Sequence, residues 1–442
     1  MPKNVNENKY ENKRYRTLVL VLLTLLYAFN FIDRQIVGIL APFFAEELGL
    51  NNTQIGLLTG LAFAFLYTFI GMPIAWLADR YSRVNIITIA LATWSGFTAL
   101  TGFAGNFTQM ALARMGVGIG EAGGSPPSHS IISDMYPKEQ RASALAIYSL
   151  GIPFGIMFAY FTVALFMGKS GNEVPWRQIF FTLGGLGIGL SIILRLVLRE
   201  PERGAQERKN KTDKPVEAQK FLTALSTLLK IPSWWAMCMG IASASFVGYS
   251  FNAFQTKYIV PFDPTFDIKT LMIVLGIING ISYAGGTFFG AKLADYYGKK
   301  NVRAYGLIPG IAIAIACPLA IGSFWIGSVW GHLAFVTVFV FFLGVYLGPS
   351  FAIAQTLAPI NMRAMSTAIY FFILNMIAMG LGPMFTGIMA DMFAKNNDSV
   401  HAVRLAMTTT SFALLLSAVF FFIAAKHLPK DWADAEKRNE GS

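Results

Sequence analysis

Long apolar stretches, separated by short polar connections, dominate the chain from residue 17 to residue 426. A membrane span needs about 20 consecutive apolar residues, and twelve stretches reach roughly this length. They predict helices 1 to 6 at 17–41, 53–78, 84–104, 108–134, 142–167 and 177–198, and helices 7 to 12 at 233–259, 270–296, 303–322, 330–357, 364–392 and 404–426. The pattern therefore predicts an all-α membrane protein with twelve transmembrane helices in two sets of six.

Composition agrees with lipid as the surroundings of most side chains. Only 13% of the 442 residues are charged, whereas a soluble globular protein carries roughly 25%. The net charge of +11 does not indicate nucleic acid as a partner, because basic residues gather in the cytoplasmic loops of membrane proteins. The two cysteines lack metal-ligand spacing, and no phosphate-binding loop or nucleophile elbow occurs. Neither an enzyme nor a bound cofactor or metal is expected.

Lysine and arginine are concentrated in the connections on one side of the predicted membrane. The N-terminal tail, the central linker and the connection between helices 8 and 9 are basic, whereas the opposite connections hold few such residues. By the positive-inside rule, both termini are expected in the cytoplasm, with the chain crossing a bacterial inner membrane twelve times.

These patterns predict five parts in the chain. They are an N-terminal tail at 1–16, a six-helix bundle at 17–198, a linker at 199–232, a second six-helix bundle at 233–426 and a C-terminal tail at 427–442. The first part of the linker is charged and typical of a solvated tether. Apolar residues then recur at helical spacing from Phe221 to Leu229, which predicts an amphipathic helix on the membrane surface.

Two segments of the first half recur in the second half. Segment 77–83 (LADRYSR) follows helix 2, and 293–299 (LADYYGK) follows helix 8, 216 residues later. Segment 141–148 (RASALAIY) opens helix 5, and 363–370 (RAMSTAIY) opens helix 11, 222 residues later. The nearly equal offsets indicate an internal repeat of six helices.

The repeated loops resemble the signature loop of the major facilitator superfamily, and 114–120 (RMGVGIG) in helix 4 resembles that superfamily's arginine-glycine signature. The loop after helix 8 fits well, whereas the first copy has Ala75 and Ser82 where glycines are usual. The resemblance implies two pseudo-symmetric six-helix bundles around a central cavity, each with nested inverted repeats, which rock to give alternating access.

The same loops predict a cytoplasmic gate. Asp79 and Asp295 follow the cytoplasmic ends of their helices, where a carboxylate can face the positive N-terminus of a neighbouring helix. We expect Asp79 to pair with Arg363, and Asp295 to pair with Arg141, and the alternative is that these are ordinary solvated loop charges. The remaining gate candidates are the basic residues of the loops, Arg80, Arg83 and Lys299.

Four ionisable residues are predicted at membrane depth, where charges are costly and usually functional. At 1.5 Å per residue, Asp33 lies roughly 24 Å above the cytoplasmic end of helix 1, beside Arg34. By the same estimate Glu121 lies roughly 20 Å and Arg114 roughly 30 Å up helix 4, on one helical face. The two carboxylates and one or two of the guanidinium groups are expected to form one network, in which a carboxylate exchanges a proton for an arginine contact. The alternative is a purely structural buried pair.

Other polar residues at membrane depth are possible members of the cavity wall. They are Asn252, Gln255, Asn279, Tyr283, Gln355 and Asn375. Each of them alone is equally explained as an interhelical hydrogen bond.

Within the superfamily, 30–34 (NFIDR), 114–122 (RMGVGIGEA) and 134–137 (DMYP) resemble the spinster-like branch, which is associated with sphingolipids and lysophospholipids. The resemblance implies Asp33, Arg34, Arg114 and Glu121 as the proton and substrate site of a proton-coupled transporter. It implies a small amphipathic or lipid substrate, membrane lipids as partners, and a monomer. An organic-anion, sugar-acid or multidrug transporter of the same fold is the alternative.

Overall fold

The computed structural model describes residues 12–78, 80–167, 174–203, 221–359 and 362–440, and no strand occurs in these ranges. Helices 1 to 6 are Lys13–Glu47, Asn52–Thr59 with Leu61–Ala78, Arg83–Thr101, Phe107–Glu121 with Ser125–Met135, Lys138–Ser149 with Gly151–Phe166, and Trp176–Val197. The linker contains the short helix Phe221–Leu229. Helices 7 to 12 are Pro232–Phe262, Ile268–Ile277 with π-helical Ile278–Ser282 and Tyr283–Gly298, Ala304–Trp325, Val329–Gly344 with Leu347–Thr356, Arg363–Leu374 with π-helical Asn375–Leu381 and Gly382–Ala394, and Ser399–Ser411 with Ala413–Glu440.

Ten helical stretches in the described ranges are long and apolar enough to cross a membrane. They correspond to all the predicted spans except the fourth and the seventh. Both of these do form helices, at Phe107–Met135 with one break and at Pro232–Phe262. Their buried polar and charged side chains, such as Arg114, Glu121 and Gln255, lower their hydropathy. The predicted all-α architecture with two sets of six helices is confirmed.

The chain packs as two units that divide helices 1 and 2 between them. Among described residues, the first unit holds 12–36, 65–162 and 175–203, and the second holds 37–64, 163–167 with 174, and 221–440. The predicted bundles at 17–198 and 233–426 follow chain order, and their boundaries stay a prediction. The difference arises because the second part of helix 1 and the first part of helix 2 pack closely on helices 7 and 11.

Helix 4 breaks after Glu121 instead of continuing from 108 to 134. Gly123 and Gly124 lie in the break, and Pro126 lies in the first turn of the next segment, Ser125–Met135, where a missing N–H costs nothing. Before the break, Gly120 packs so closely on helix 3 that a Cβ would lie 2.6 Å from the backbone nitrogen of Trp94. The break leaves Glu121 at the C-terminal end of a helical segment, facing the first unit's interior.

Arg83 is the centre of a buried charge cluster at the predicted cytoplasmic side of the first unit. Its guanidinium forms ion pairs with Asp134 and, at 2.7 Å, with Glu200. It also donates to the hydroxyl of Ser130 and the carbonyl of Pro201. Burial alone would raise the pKa of Glu200, but hydrogen bonds from the backbone N–H of Val84 and from Arg83 hold this pKa below its usual value. Arg83 therefore fastens the start of helix 3 to helix 4 and to the segment after helix 6.

Arg83→Ala is expected to destabilise the protein by about 3–5 kcal/mol, because it leaves two carboxylates beside a buried gap without their cation. Arg80→Ala is the matched control, since Arg80 is exposed and contacts the ring and the backbone carbonyl of Trp76. The control should change stability by less than about 0.5 kcal/mol. Thermal unfolding in detergent compares the two variants, and equal transitions would show that the cluster contributes no stability.

The last helix continues past the predicted end of the membrane span at 426. Residues 427–440, predicted as a tail, extend it as a helix to Glu440. The carboxylate of Asp431 accepts hydrogen bonds from the backbone N–H and the hydroxyl of Ser233 at the start of helix 7. Arg438 donates to the carbonyl of Leu357 at 2.8 Å, just after helix 10. The extension, residues 427–440, is thereby fastened to two other helices of the second unit.

Candidate functional site

The candidate site in the first unit begins on one face of helix 1. Asn30, Asp33 and Arg34 are spaced by three and four residues, so their side chains lie on the same side of the helix. Asn30 and Asp33 are 2% and 3% exposed, and the side chain of Arg34 is 9% exposed. Helix 1 thus presents a carboxylate, a guanidinium and an amide inside an apolar bundle.

Glu121 forms a buried ion pair with Arg34. The distance from Arg34 Nε to Glu121 Oε2 is 2.7 Å, and Asn30 Nδ2 donates to the same oxygen at 2.8 Å. A carboxylate at the C-terminal end of a helical segment opposes the helix dipole, so Glu121 depends on this cation. The guanidinium of Arg34 also lies over the rings of Phe31 and Tyr67, 5.1 and 4.5 Å from their centroids.

Asp33 has a different set of partners. The hydroxyl of Thr98 in helix 3 donates to Asp33 Oδ1 at 3.0 Å. Arg114, 2% exposed, donates from Nη1 to the backbone carbonyl of Asp33 at 3.3 Å. All four predicted residues therefore meet in the first unit, with Arg34 as the ion-pair partner of Glu121 and Arg114 beside the Asp33 backbone. Their roles in coupling stay a prediction.

Two acceptor atoms in this cluster have no hydrogen-bond partner among the described residues. They are Oε1 of Glu121 and Oδ1 of Asn30, and both side chains are almost fully buried. Buried polar atoms are nearly always hydrogen-bonded, and these two can only accept unless Glu121 is protonated. A water or a donor group of a ligand would pair with either oxygen, and a proton on Glu121 would turn its carboxyl group into a donor.

Sequence reasoning missed the neutral members of the cluster. Asn30 lies one helical turn before Asp33 and Arg34, so helical spacing could have identified it. Thr98 and Tyr67 come from helices 3 and 2, and no local pattern connects them to the charges. Their contribution depends on how the helices pack, which periodicity does not specify.

Two of the predicted cavity residues on the second half have local partners. Asn279 lies in the π-helical turn of helix 8 and donates to the carbonyl of Leu275 at 3.0 Å. Gln255 lies 3.5 Å from Nε2 of His332, which is itself held by the carbonyl of Ser323. Hydrogen bonds within the bundle account for both residues.

The other four occupy varied surroundings. Asn252 is half-buried, and its backbone carbonyl lies against Gly38 of helix 1. Asn375 begins the π-helical turn of helix 11 and Tyr283 follows that of helix 8, and both are half-buried. Gln355 is exposed. Their assignment to a cavity wall stays a prediction.

The predicted cytoplasmic gate is described only in part. Asp79 lies outside the described residues, as does the side chain of Arg363. Asp295 accepts a hydrogen bond from the hydroxyl of Tyr305 at 3.0 Å, and Arg141 donates to the carbonyl of Ser133 at 2.8 Å. The pairing of Asp79 with Arg363, and of Asp295 with Arg141, stays a prediction.

The basic gate candidates differ in their surroundings. Arg83 is buried in the charge cluster of the first unit, whereas Arg80 and Lys299 are exposed. Arg83 therefore has a packing role within one unit, in addition to any part in a gate.

A multi-pass helical protein with a charge cluster buried among its helices has the features of a secondary transporter. The sequence model of the Major Facilitator Superfamily matches residues 23–383. The chain therefore belongs to this superfamily of transporters, and transport is its activity in place of enzymatic catalysis.

Relatives that match over most of both chains include proteins of the predicted branch. The chain is 24% identical over 458 residues to Protein spinster homolog 1 of Xenopus laevis, covering 97% of this chain and 84% of that protein. It is 24% identical over 410 residues to an MFS-type efflux pump of Mycolicibacterium smegmatis, covering 93% and 92% of the two chains. A crystal structure of a bacterial homolog of the human lysosomal transporter Spinster, inward-facing and unoccupied, matches with a TM-score of 0.86 and 30% identity, over 95% of this chain and 99% of that one. The predicted resemblance to the spinster-like branch is confirmed.

Proposed function

We propose that the protein is a proton-coupled secondary transporter of an amphipathic substrate with an anionic or zwitterionic head group, such as a lysophospholipid or a sphingolipid-like lipid. It works by alternating access across the bacterial inner membrane, with both termini in the cytoplasm. The observation that supports this proposal most directly is the buried cluster of two carboxylates and two guanidinium groups, in which Glu121 Oε1 has no hydrogen-bond partner among the described residues. Two acids in one cluster leave a carboxylate that can take up a proton beyond the single ion pair of Arg34 with Glu121.

The charges of the cluster connect proton binding to an anionic substrate. With both acids ionised, Asp33 and Glu121 balance Arg34 and Arg114, so the four groups sum to zero. One bound proton leaves a net charge of +1 among buried groups, where charge interactions are much stronger than in water. An anionic head group then binds with the proton and restores neutrality. Proton and substrate are therefore carried together.

The amphipathic cargo is inferred from the site, because the names of the relatives do not state it. The matched crystal structure is named for a lysosomal transporter, and another relative is named as an efflux pump. The site itself combines two arginines with the rings of Phe31 and Tyr67, which suits a charged head next to an apolar body. Sugar acids and drugs remain the alternative cargo.

Purified protein in proteoliposomes with an imposed pH gradient is expected to transport a lysophospholipid in a saturable way. Uptake should fall at least tenfold when the pH gradient is collapsed, because proton movement drives the cycle. The same vesicles are tested with a sugar acid and a cationic dye, each with and without lysolipid as a competitor. Saturable transport of a sugar acid that lysolipid does not inhibit would overturn the proposed cargo while keeping the transporter.

A further inference from the structure

The second unit contains a contact between helices 2 and 11 that no part of the proposed site uses. The carboxylate of Asp391, near the end of helix 11, lies at the first turn of helix 2. Its Oδ1 accepts from the backbone N–H and the side-chain amide of Asn52, at 3.0 and 2.9 Å. Its Oδ2 accepts from the backbone N–H and the hydroxyl of Thr53, at 2.8 and 2.6 Å.

This arrangement completes the N-terminus of helix 2. The first N–H groups of a helix have no partner within the helix, and the positive end of the helix dipole favours an anion. Asn51 caps the N–H of Gln54, while Asp391 takes the N–H groups of Asn52 and Thr53. Helix 2 therefore obtains part of its N-terminal cap from a residue more than three hundred positions later in the chain.

Small residues bring the two backbones together below this carboxylate. A Cβ on Gly56 would collide with the carbonyl of Pro383, and a Cβ on Gly387 would collide with the carbonyl of Asn52. Gly60 continues the same face of helix 2, where a Cβ would lie 2.7 Å from the carbonyl of Gly380. Close packing through glycines is a common mode of helix association in membranes. The contact thus combines charge-assisted hydrogen bonds at its end with tight backbone packing along its length.

The position of this contact gives it a role in the transport cycle. By the predicted orientation, Asn52 starts helix 2 on the side of the membrane opposite to the termini, and Asp391 lies at the end of helix 11 on that same side. Helix 2 belongs to the first sequence half and helix 11 to the second. If the protein works by alternating access, as proposed above, this contact must separate whenever the substrate path opens to that side.

We infer that Asp391, with Asn52 and Thr53, forms an outer clasp that holds the path closed on the non-cytoplasmic side, and that Gly56, Gly60 and Gly387 form its seam. The role of the clasp in transport rests on the proposed function, whereas the clasp itself rests on the four hydrogen bonds. Lys257 lies close enough to Asp391 to interact with it electrostatically. The contact of Asp391 with helix 2 is made by the four hydrogen bonds.

Labelling of a buried cysteine from outside tests the clasp without any substrate. Ala64 is fully buried in helix 2, and its Cβ lies 3.5 Å from where a Cβ on Gly380 would be. Ala64→Cys therefore places a thiol on the seam, while the native Cys238 and Cys317 are buried. A membrane-impermeant thiol reagent is added to the outside of intact cells that contain this variant, and the labelling rate is measured.

Adding Asp391→Asn or Gly56→Ala is expected to raise the labelling rate at least tenfold, since each weakens a different part of the contact. The matched controls are Asp398→Asn and Gly71→Ala. Asp398 caps helix 12 at His401 and does not bond helix 2, and a Cβ on Gly71 meets open space. Both controls should label at the parent rate.

Equal labelling of the parent and of both test variants would overturn the clasp. If Asp391→Asn does not fold, Gly56→Ala decides the outcome by itself, and equal labelling by that variant also overturns it. Uptake driven by a pH gradient is measured separately in the Ala64→Cys parent. Raised labelling in the test variants without any uptake in the parent would contradict the proposed function and leave the clasp standing.

Discussion

Glu121→Gln is expected to abolish uptake driven by a pH gradient, with at least a tenfold loss, while the protein stays folded and binds substrate. Glutamine keeps the shape of the side chain and an oxygen that accepts from Arg34 and Asn30. It cannot take up a proton in the physiological range, so the cycle loses its coupling ion. A gradient of one pH unit supplies about 1.4 kcal/mol per proton, and the variant cannot use it.

Two assays on the same vesicles separate loss of coupling from loss of function. Exchange of substrate across the membrane at equal pH on both sides requires no net proton movement, so Glu121→Gln should keep it. Asp33→Asn is tested in parallel because it removes the other acid of the cluster. Asp434→Asn is the control, since Asp434 is an exposed carboxylate on the extension of helix 12. Wild-type pH dependence in both Glu121→Gln and Asp33→Asn would show that the coupling site lies elsewhere.

Arg34→Met is expected to destabilise the protein by about 3–5 kcal/mol, because it leaves the buried Glu121 carboxylate without its cation. The loss also removes the guanidinium from between Phe31 and Tyr67, so substrate binding should fall with stability. The free energy of unfolding and substrate affinity are measured for the variant in detergent. A thermal transition equal to that of the wild type would show that the ion pair is not important for the fold.

The double variant Arg34→Met with Glu121→Gln distinguishes the pair from its members. Removing both charges leaves no unpaired ion, and such replacements are often neutral for stability. Most of the lost stability should therefore return, whereas coupled transport should not. If the effects of the two single substitutions simply add in the double variant, the two side chains act independently.

The sequence predicted the helices, the repeat and the four buried charges because these depend on local patterns. Hydropathy identifies spans, and depth along a helix follows from a constant rise. It did not predict which charges pair, since the break in helix 4 moves Glu121 to a helix end beside Arg34. The break coincides with Gly123-Gly124-Ser125-Pro126-Pro127, whereas hydropathy alone predicts a continuous span through these residues.

Contacts between segments that are distant in the chain are also not predicted by the sequence. Asp391 was not identified as important, because an aspartate near a helix end looks like any other loop charge. Its meaning comes from the backbone N–H groups of helix 2, which reach it only through the glycines of both helices. Likewise the residues after 426 are polar enough to predict a tail, and the contacts with Ser233 and Leu357 explain why they continue as a helix.

The extension of helix 12 has a mechanical consequence. It fastens the start of helix 7 through Asp431 and the end of helix 10 through Arg438, and the ring of Trp432 stacks on Tyr305 of helix 9. The extension thus links one end of helices 7, 9 and 10 to helix 12. Bending within the second unit is then expected at the π-helical turns of helices 8 and 11. In these turns the regular hydrogen-bond pattern of the α-helix is interrupted.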